Sequence, residues 1–336
     1  MVVGACGVQH VKEMLHQFIE ANGIRFHIAK CGTGPVVLLC HGFPEIWYSW
    51  RHQLTALAAA GFQAIAPDMR GYGETDGPRD VDQYTMLHLV GDMVGLLDAL
   101  GAKTAAIAGH DWGAPVAGHC ALLRPDRFRA VIGLSVPYTP RSPVWPTTVM
   151  PQDAESEFYQ LYFQEPGRAE ADLERDVDRT IRGTFWASSG DAEPRPRSDS
   201  AVDPISMVPR KTGFVSQLTV PSKLPAWLTE DDVAQYVEAF SRTGFRGGLN
   251  WYRNIDRNWE LLAPFAGARI SVPALYMAGE RDLVVTFYSQ QIASLTSLVP
   301  DLRRVIMLPG CGHWTQRERA DTVNEAMIEF LRSVTI

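Results

Sequence analysis

A run of small apolar residues, Ala105-Ala106-Ile107-Ala108, passes directly into Gly109-His110-Asp111-Trp112-Gly113, and a helical pattern begins near Ala114. Glycines flanking a polar residue between a strand and a helix suit a turn so sharp that the central side chain stands clear of the sheet. Such a turn belongs to a sheet of parallel strands feeding helices, so it constrains the fold before it says anything of chemistry. The residue at its tip is Asp, not Ser. A serine there is acylated by an ester or amide, whereas a carboxylate attacks saturated carbon and is left as an alkyl ester.

The rest of the chain supplies the alternation this turn requires. Asn22-Gly23 between Gln17–Glu20 and Ile24–Ala29 predicts a hairpin. Pro35–Cys40 is a continuous apolar run of the kind covered on both faces in a parallel sheet. Further strands are expected at Gln63–Pro67, Thr104–Ala108, Ala130–Val136, Pro273–Ala278 and Arg304–Leu308, and helices at Ser49–Ala60, Thr85–Leu100 and Asp321–Leu331. After Pro137 the alternation stops. Helical patterns at Glu155–Gln164 and Glu230–Ser241 then flank a Ser-, Asp-, Pro- and Arg-rich segment, Ala187–Gly213, that reads as a long mobile loop. The expected organisation is an N-terminal extension (1–15), an α/β core (16–139 and 246–336) and a mainly helical cap inserted over 140–245. A cap there roofs the C-terminal strand ends, where open α/β sheets bind ligands.

Composition excludes several classes. The 336 residues are 46% hydrophobic with a formal charge of −7, enough for a sizeable core but no basic footprint for nucleic acid or an anionic membrane surface. No stretch has the roughly 18 uninterrupted apolar residues of a membrane span, and Met1–Leu15 lacks the basic start of a signal peptide. Five cysteines (6, 31, 40, 120, 311) are scattered without metal-site or CxxC spacing, which points to a reducing cytoplasm. His10, His16 and His27 likewise lack metal-ligand spacing and read as surface residues, so neither metal nor organic cofactor is expected.

Two more residues complete a constellation with Asp111. Asp282 lies just past the strand expected at Pro273–Ala278, and His313 just past the last one, in Pro309-Gly-Cys-Gly-His-Trp314. An Asp after a strand is usually a cap, and a His among glycines is usually a solvated loop residue. In the order nucleophile, acid, histidine, each at a strand end, they read instead as a catalytic triad. Glu280 competes for the acid's place and Cys311 is a conceivable nucleophile off the turn. His41-Gly42-Phe43-Pro44 follows the strand at Pro35–Cys40, where the Phe43 N–H can join that of Trp112 in an oxyanion hole.

The segments His41–Trp50, Pro67–Gly73, Gly109–Gly113, Phe158–Gly167, Gly244–Asn254 and Cys311–Gln316 resemble the soluble epoxide hydrolases of the α/β-hydrolase superfamily, a likeness running from about Phe18 to Leu331. The resemblance implies a mostly parallel eight-stranded sheet flanked by helices, with a helical cap. It implies that Tyr159 and Tyr252 hold and protonate an epoxide oxygen, while Trp112, Phe43, Pro44, Gln160, Trp251 and Trp314 line the substrate site. A phenol of pKa around 10 suits this role, since it donates a proton without being ionised at neutral pH. The expected substrate is a small apolar epoxide, turned over without cofactor by a cytoplasmic monomer or homodimer in a detoxifying role. Haloalkane dehalogenases share the Asp and the following Trp; a non-catalytic relative binding a small apolar ligand is a further alternative.

Overall fold

The computed structural model describes residues 13–193 and 204–336. Its strands are β1 (Leu15–Ala21), β2 (Ile24–Cys31), β3 (Val36–Cys40), β4 (Gln63–Pro67), β5 (Ala105–His110), β6 (Phe128–Leu134), β7 (Ser156–Phe158), β8 (Met207–Pro209), β9 (Ala274–Gly279) and β10 (Leu302–Leu308). All but β7 and β8 form one eight-stranded sheet in the order β1-β2-β4-β3-β5-β6-β9-β10. Only the β1–β2 and β2–β4 pairs are antiparallel. At the hairpin tip Asn22 and Gly23 have φ of 47° and 79°, the doubly left-handed turn for which Asn-Gly is suited.

The apolar runs sort by parity, as a covered sheet demands. Val36, Leu38 and Cys40 enter one core, with Met93 and Leu96 of α2 (Met86–Ala99) and Val116 and Cys120 of α3 (Gly113–Leu123). Val37 and Leu39 enter a second, with Leu54 and Leu57 of α1 (Arg51–Ala59) and Val323 and Met327 of the helix at Ala320–Arg332. Thr85 caps α2 through the His88 N–H.

Between β6 and β9 the chain leaves the sheet for the helices Tyr159–Tyr162, Arg168–Leu173, Val177–Ala187, Glu230–Thr243, Arg246–Arg253 and Ile255–Leu261. Phe163, Phe185, Tyr236, Phe245 and Trp251 from this region belong to the same apolar cluster as one face of the sheet, so the roof has no separate core. Under it the elbow is tightly packed. A Cβ on Gly109 would lie 1.9 Å from the Gly113 carbonyl oxygen, and one on Gly113 would lie 2.0 Å from that of Cys40.

Four expectations need correction. The pattern over Glu155–Gln164 is not one helix: β7 comes first and pairs with β8, and the helix holds only Tyr159–Tyr162. Asp153 accepts the N–H groups of Glu155 and Ser156, and Glu157 ion-pairs with Arg168 and Arg210 at 2.8 and 2.9 Å, so long-range partners override the periodicity. β8 itself lies in Ala187–Gly213, expected to be loop throughout; residues 194–203 of that segment fall outside the described residues. His27 is buried, its Nδ1 2.8 Å from Asp68 Oδ2 and its ring stacked on His16. His10 and most of the expected extension, residues 1–12, also lie outside the described residues. β6 ends at Leu134 rather than Val136 because Ser135 turns to a φ of 69°.

The elbow's packing makes a direct prediction. Gly113→Ala is expected to destabilise the protein by about 4 kcal/mol or more, an exceptional loss for one methyl. Gly101→Ala, at a positive φ but with open space around it, is expected to cost about 1 kcal/mol. Urea-unfolding midpoints of the two variants check the contrast.

Candidate active site

Asp111 follows β5 directly and holds a φ of 49°, a left-handed conformation in a residue that tolerates it. One carboxylate oxygen, Oδ1, accepts the Phe43 N–H at 2.7 Å; the other, Oδ2, lies 3.6 Å from His313 Nε2. The hairpin-like approach of His41-Gly42-Phe43-Pro44 after β3 thus delivers a backbone donor to the elbow. Trp112 stands at the entry to α3.

Asp282 caps the short helix Leu283–Phe287 by accepting the Val284 N–H, and its two oxygens lie 3.1 and 3.2 Å from His313 Nδ1. Burial would raise its pKa, but the charge and hydrogen bond of His313 hold it below the ordinary carboxylate range. Glu280 is exposed and does not take this place. His313 is governed by the same pair: burial pulls its pKa down, yet Asp282 and Asp111 on either side push it well above the ordinary histidine value. Cys311 is buried and burial pushes its thiol up, so it offers no thiolate.

Tyr159 and Tyr252 face one another from the roof with ring centroids 5.9 Å apart. Burial raises both phenols, and the Asp111 carboxylate raises them further, against a Gln160 hydrogen bond on Tyr159 and a Trp112 hydrogen bond on Tyr252. Both therefore stay protonated at neutral pH. The Tyr159 hydroxyl oxygen accepts from Gln160 Nε2 at 3.0 Å, which leaves its proton free to point elsewhere. Phe43 and Trp112 pack edge-on against the Tyr252 ring at 5.5 and 5.1 Å, and Pro44 is buried beside Phe43. Trp251 and Trp314 stand one ring further back, behind Trp112 and against His313. Their indole N–H groups are committed to the carbonyls of Arg70 and Phe185.

Four side chains around this site escaped the sequence reading. Ser135 reaches both Asp282 and His313. His110, buried, sits 2.7 Å from Glu45 Oε2 through Nδ1 and 2.7 Å from the His313 carbonyl oxygen through Nε2. Burial alone would raise the Glu45 carboxyl; His110 and Ser49 bring it down to about 2. Glu318 accepts the N–H groups of Gly312, Trp314 and Gly190, and the His313 N–H donates to the Ser188 carbonyl, so the histidine loop and the roof are tied together. The adjacency of His110 to Asp111 was the one local signal. Among the described residues no cluster of three His, Cys, Asp or Glu side chains suits a metal ion, and no helix is long and apolar enough to cross a membrane.

A carboxylate at an elbow, a histidine raised by two carboxylates and two protonated phenols opposite can attack carbon, protonate a leaving oxygen and activate water. Residues 35–320 match the model of the alpha/beta hydrolase fold family. The chain is 44% identical to epoxide hydrolase A of Mycobacterium tuberculosis across 95% of its own length and 98% of that protein. It is 42% identical to epoxide hydrolase 3 of Siraitia grosvenorii across 94% and 98%. Among solved structures it superposes on an epoxide hydrolase from an endophytic Streptomyces with a TM-score of 0.90, at 44% identity over 95% of both chains. It superposes on epoxide hydrolase A from Mycobacterium thermoresistibile with a TM-score of 0.89, at 44% identity over 96% of this chain and all of that one (100%).

The charge coupling between Asp111 and His313 is testable without substrate. Asp111→Asn removes one of the two carboxylates that raise the imidazole, so the His313 pKa is expected to fall. NMR titration of the labelled ring reads it, and an unchanged pKa contradicts the coupling.

Proposed function

We propose that this chain, which belongs to the α/β-hydrolase fold family and within it to the epoxide hydrolases, converts epoxides to vicinal diols through a covalent ester on Asp111. The observation that carries the reading is the meeting of the part-buried Tyr159 and the buried Tyr252, ring centroids 5.9 Å apart, with Tyr252 packed on Phe43 and Trp112 beside the Asp111 carboxylate that the Phe43 N–H holds. The Phe43 N–H occupies Oδ1, so Oδ2 is the oxygen that attacks an epoxide carbon. As the C–O bond breaks, the developing alkoxide is held by both phenols and takes a proton from one. Two donors fixed on one oxygen also hold the carbon in line with Oδ2.

The second half follows from the charges. Once Asp111 is an ester it no longer supports the proton on His313, which passes to the phenolate left by the first step, and the neutral imidazole becomes a competent base for water with Asp282 still bonded to Nδ1. Hydroxide adds to the ester carbonyl, whose oxygen is Oδ1, already on the Phe43 N–H. The Trp112 N–H is the second donor we assign to that oxyanion. Collapse passes the hydroxyl proton to the departing oxygen, frees the diol and restores the carboxylate, and the proton taken from water stays on His313 as in the resting site. Metal and organic cofactor play no part in this cycle. We assign residues 140–245 to a cap that closes the site, and a small apolar epoxide to the pocket beneath it.

Styrene oxide is expected to yield its diol, and 1-chlorobutane little chloride; chloride without diol overturns the assignment. Tyr159→Phe with Tyr252→Phe is expected to slow ester formation by roughly 10²–10⁴-fold. His313→Gln is expected to accumulate the ester, visible by intact mass. An unmodified His313→Gln protein after incubation with substrate contradicts the two-step scheme.

A further inference from the structure

Ser135 is fully buried at the end of β6 with a φ of 69°. Its backbone is pinned on both sides: the N–H donates to the Met277 carbonyl at 2.9 Å, and its own carbonyl accepts the Tyr276 hydroxyl at 2.7 Å. The side chain is therefore aimed, not merely accommodated. Its Oγ donates to Asp282 Oδ2 at 2.5 Å and lies 2.9 Å from His313 Nδ1, nearer to that nitrogen than either Asp282 oxygen at 3.1 and 3.2 Å.

A hydroxyl has one proton to give and lone pairs to receive. With its proton on Asp282, the Ser135 oxygen turns its lone pairs to the Nδ1 proton, which is shared between hydroxyl and carboxylate. We propose that Ser135 is a positioning residue for the hydrolytic half of the reaction, fixing the His313 ring and the Asp282 carboxylate relative to one another. This inference rests on His313 being the base that resolves an ester on Asp111. When Nε2 takes the proton from water, the imidazolium formed is held at Nδ1 by two acceptors. No proton leaves Nδ1, and Ser135 keeps its own.

The backbone argues the same way. A non-glycine residue at this φ costs about 1–2 kcal/mol, which glycine would relieve. A serine kept there has its hydroxyl set against that strain. Ester formation, which uses Asp111 and the phenols, does not call on Nδ1; ester hydrolysis does. The role therefore separates the two half-reactions, which a general loss of structure does not.

Rapid-quench intact mass with styrene oxide, under single-turnover conditions, tests this with Ser135→Gly and Ser135→Asn. Glycine accepts the backbone and lacks the hydroxyl; asparagine tolerates positive φ and offers both a donor and an acceptor. Ester formation in Ser135→Gly is expected within about twofold of the parent, while ester decay slows about tenfold, the size of one hydrogen bond to a charged partner. Ser135→Asn is expected to recover most of that loss. Decay in Ser135→Gly as fast as in the parent overturns the proposal, and so does a parallel fall in both steps in step with thermal stability. If the His313→Gln control carries no ester either, the Asp111 reading fails and this one fails with it.

Discussion

Asp111 is held in a left-handed conformation by a turn whose two glycines are pressed against backbone oxygens at about van der Waals overlap for any added carbon. That packing constraint governs the site. It puts the carboxylate at the C-terminal edge of the sheet's centre, within 2.7 Å of the Phe43 N–H and 3.6 Å of His313. It also leaves the residue before it, His110, pointing down into Glu45 and across to the His313 backbone. Asp111 and His313, the nucleophile and base of the proposed reaction, are thus mounted on one assembly, as a reaction needing aligned groups requires.

Charge is the second thread. Asp282 and His313 are buried, so charges there act strongly on their neighbours. Asp111 and Asp282 together keep His313 protonated against the pull of burial, and the same Asp111 charge helps keep Tyr159 and Tyr252 from ionising. In the proposed reaction this charge balance sets the resting site for the first step, and consuming the Asp111 charge in the ester sets His313 for the second.

The sequence announces some of this and conceals the rest for a physical reason. The elbow, Asp282 and His313 are legible because each is a short local pattern at the end of an apolar run. Gly113 and Gly109 declare the sharp turn, and the order of the three residues does the rest. Ser135, Glu45 and Glu318 declare nothing locally of their reach, because each has a partner far along the chain, 147, 65 and 128 residues away. Only the closed sheet and the docked roof bring them together. The same holds for Glu155–Gln164, where helical periodicity yields to a strand paired across to Met207–Pro209, and for His27, whose burial depends on Asp68 of another strand's loop. Tyr159 and Tyr252 are intermediate: resemblance implies their roles, and packing brings their rings to 5.9 Å from one another beside Phe43 and Trp112.

The central claim is that Asp111 donates an oxygen to the substrate carbon before water enters. A single turnover with enzyme in excess, run in water enriched in oxygen-18, tests it directly. The first diol released is predicted to carry unlabelled oxygen taken from Asp111, with the heavy isotope retained in the Asp111 carboxylate of the recovered peptide. A first-turnover diol carrying oxygen-18, with Asp111 unlabelled, would mean that water attacks the epoxide itself and would contradict the account.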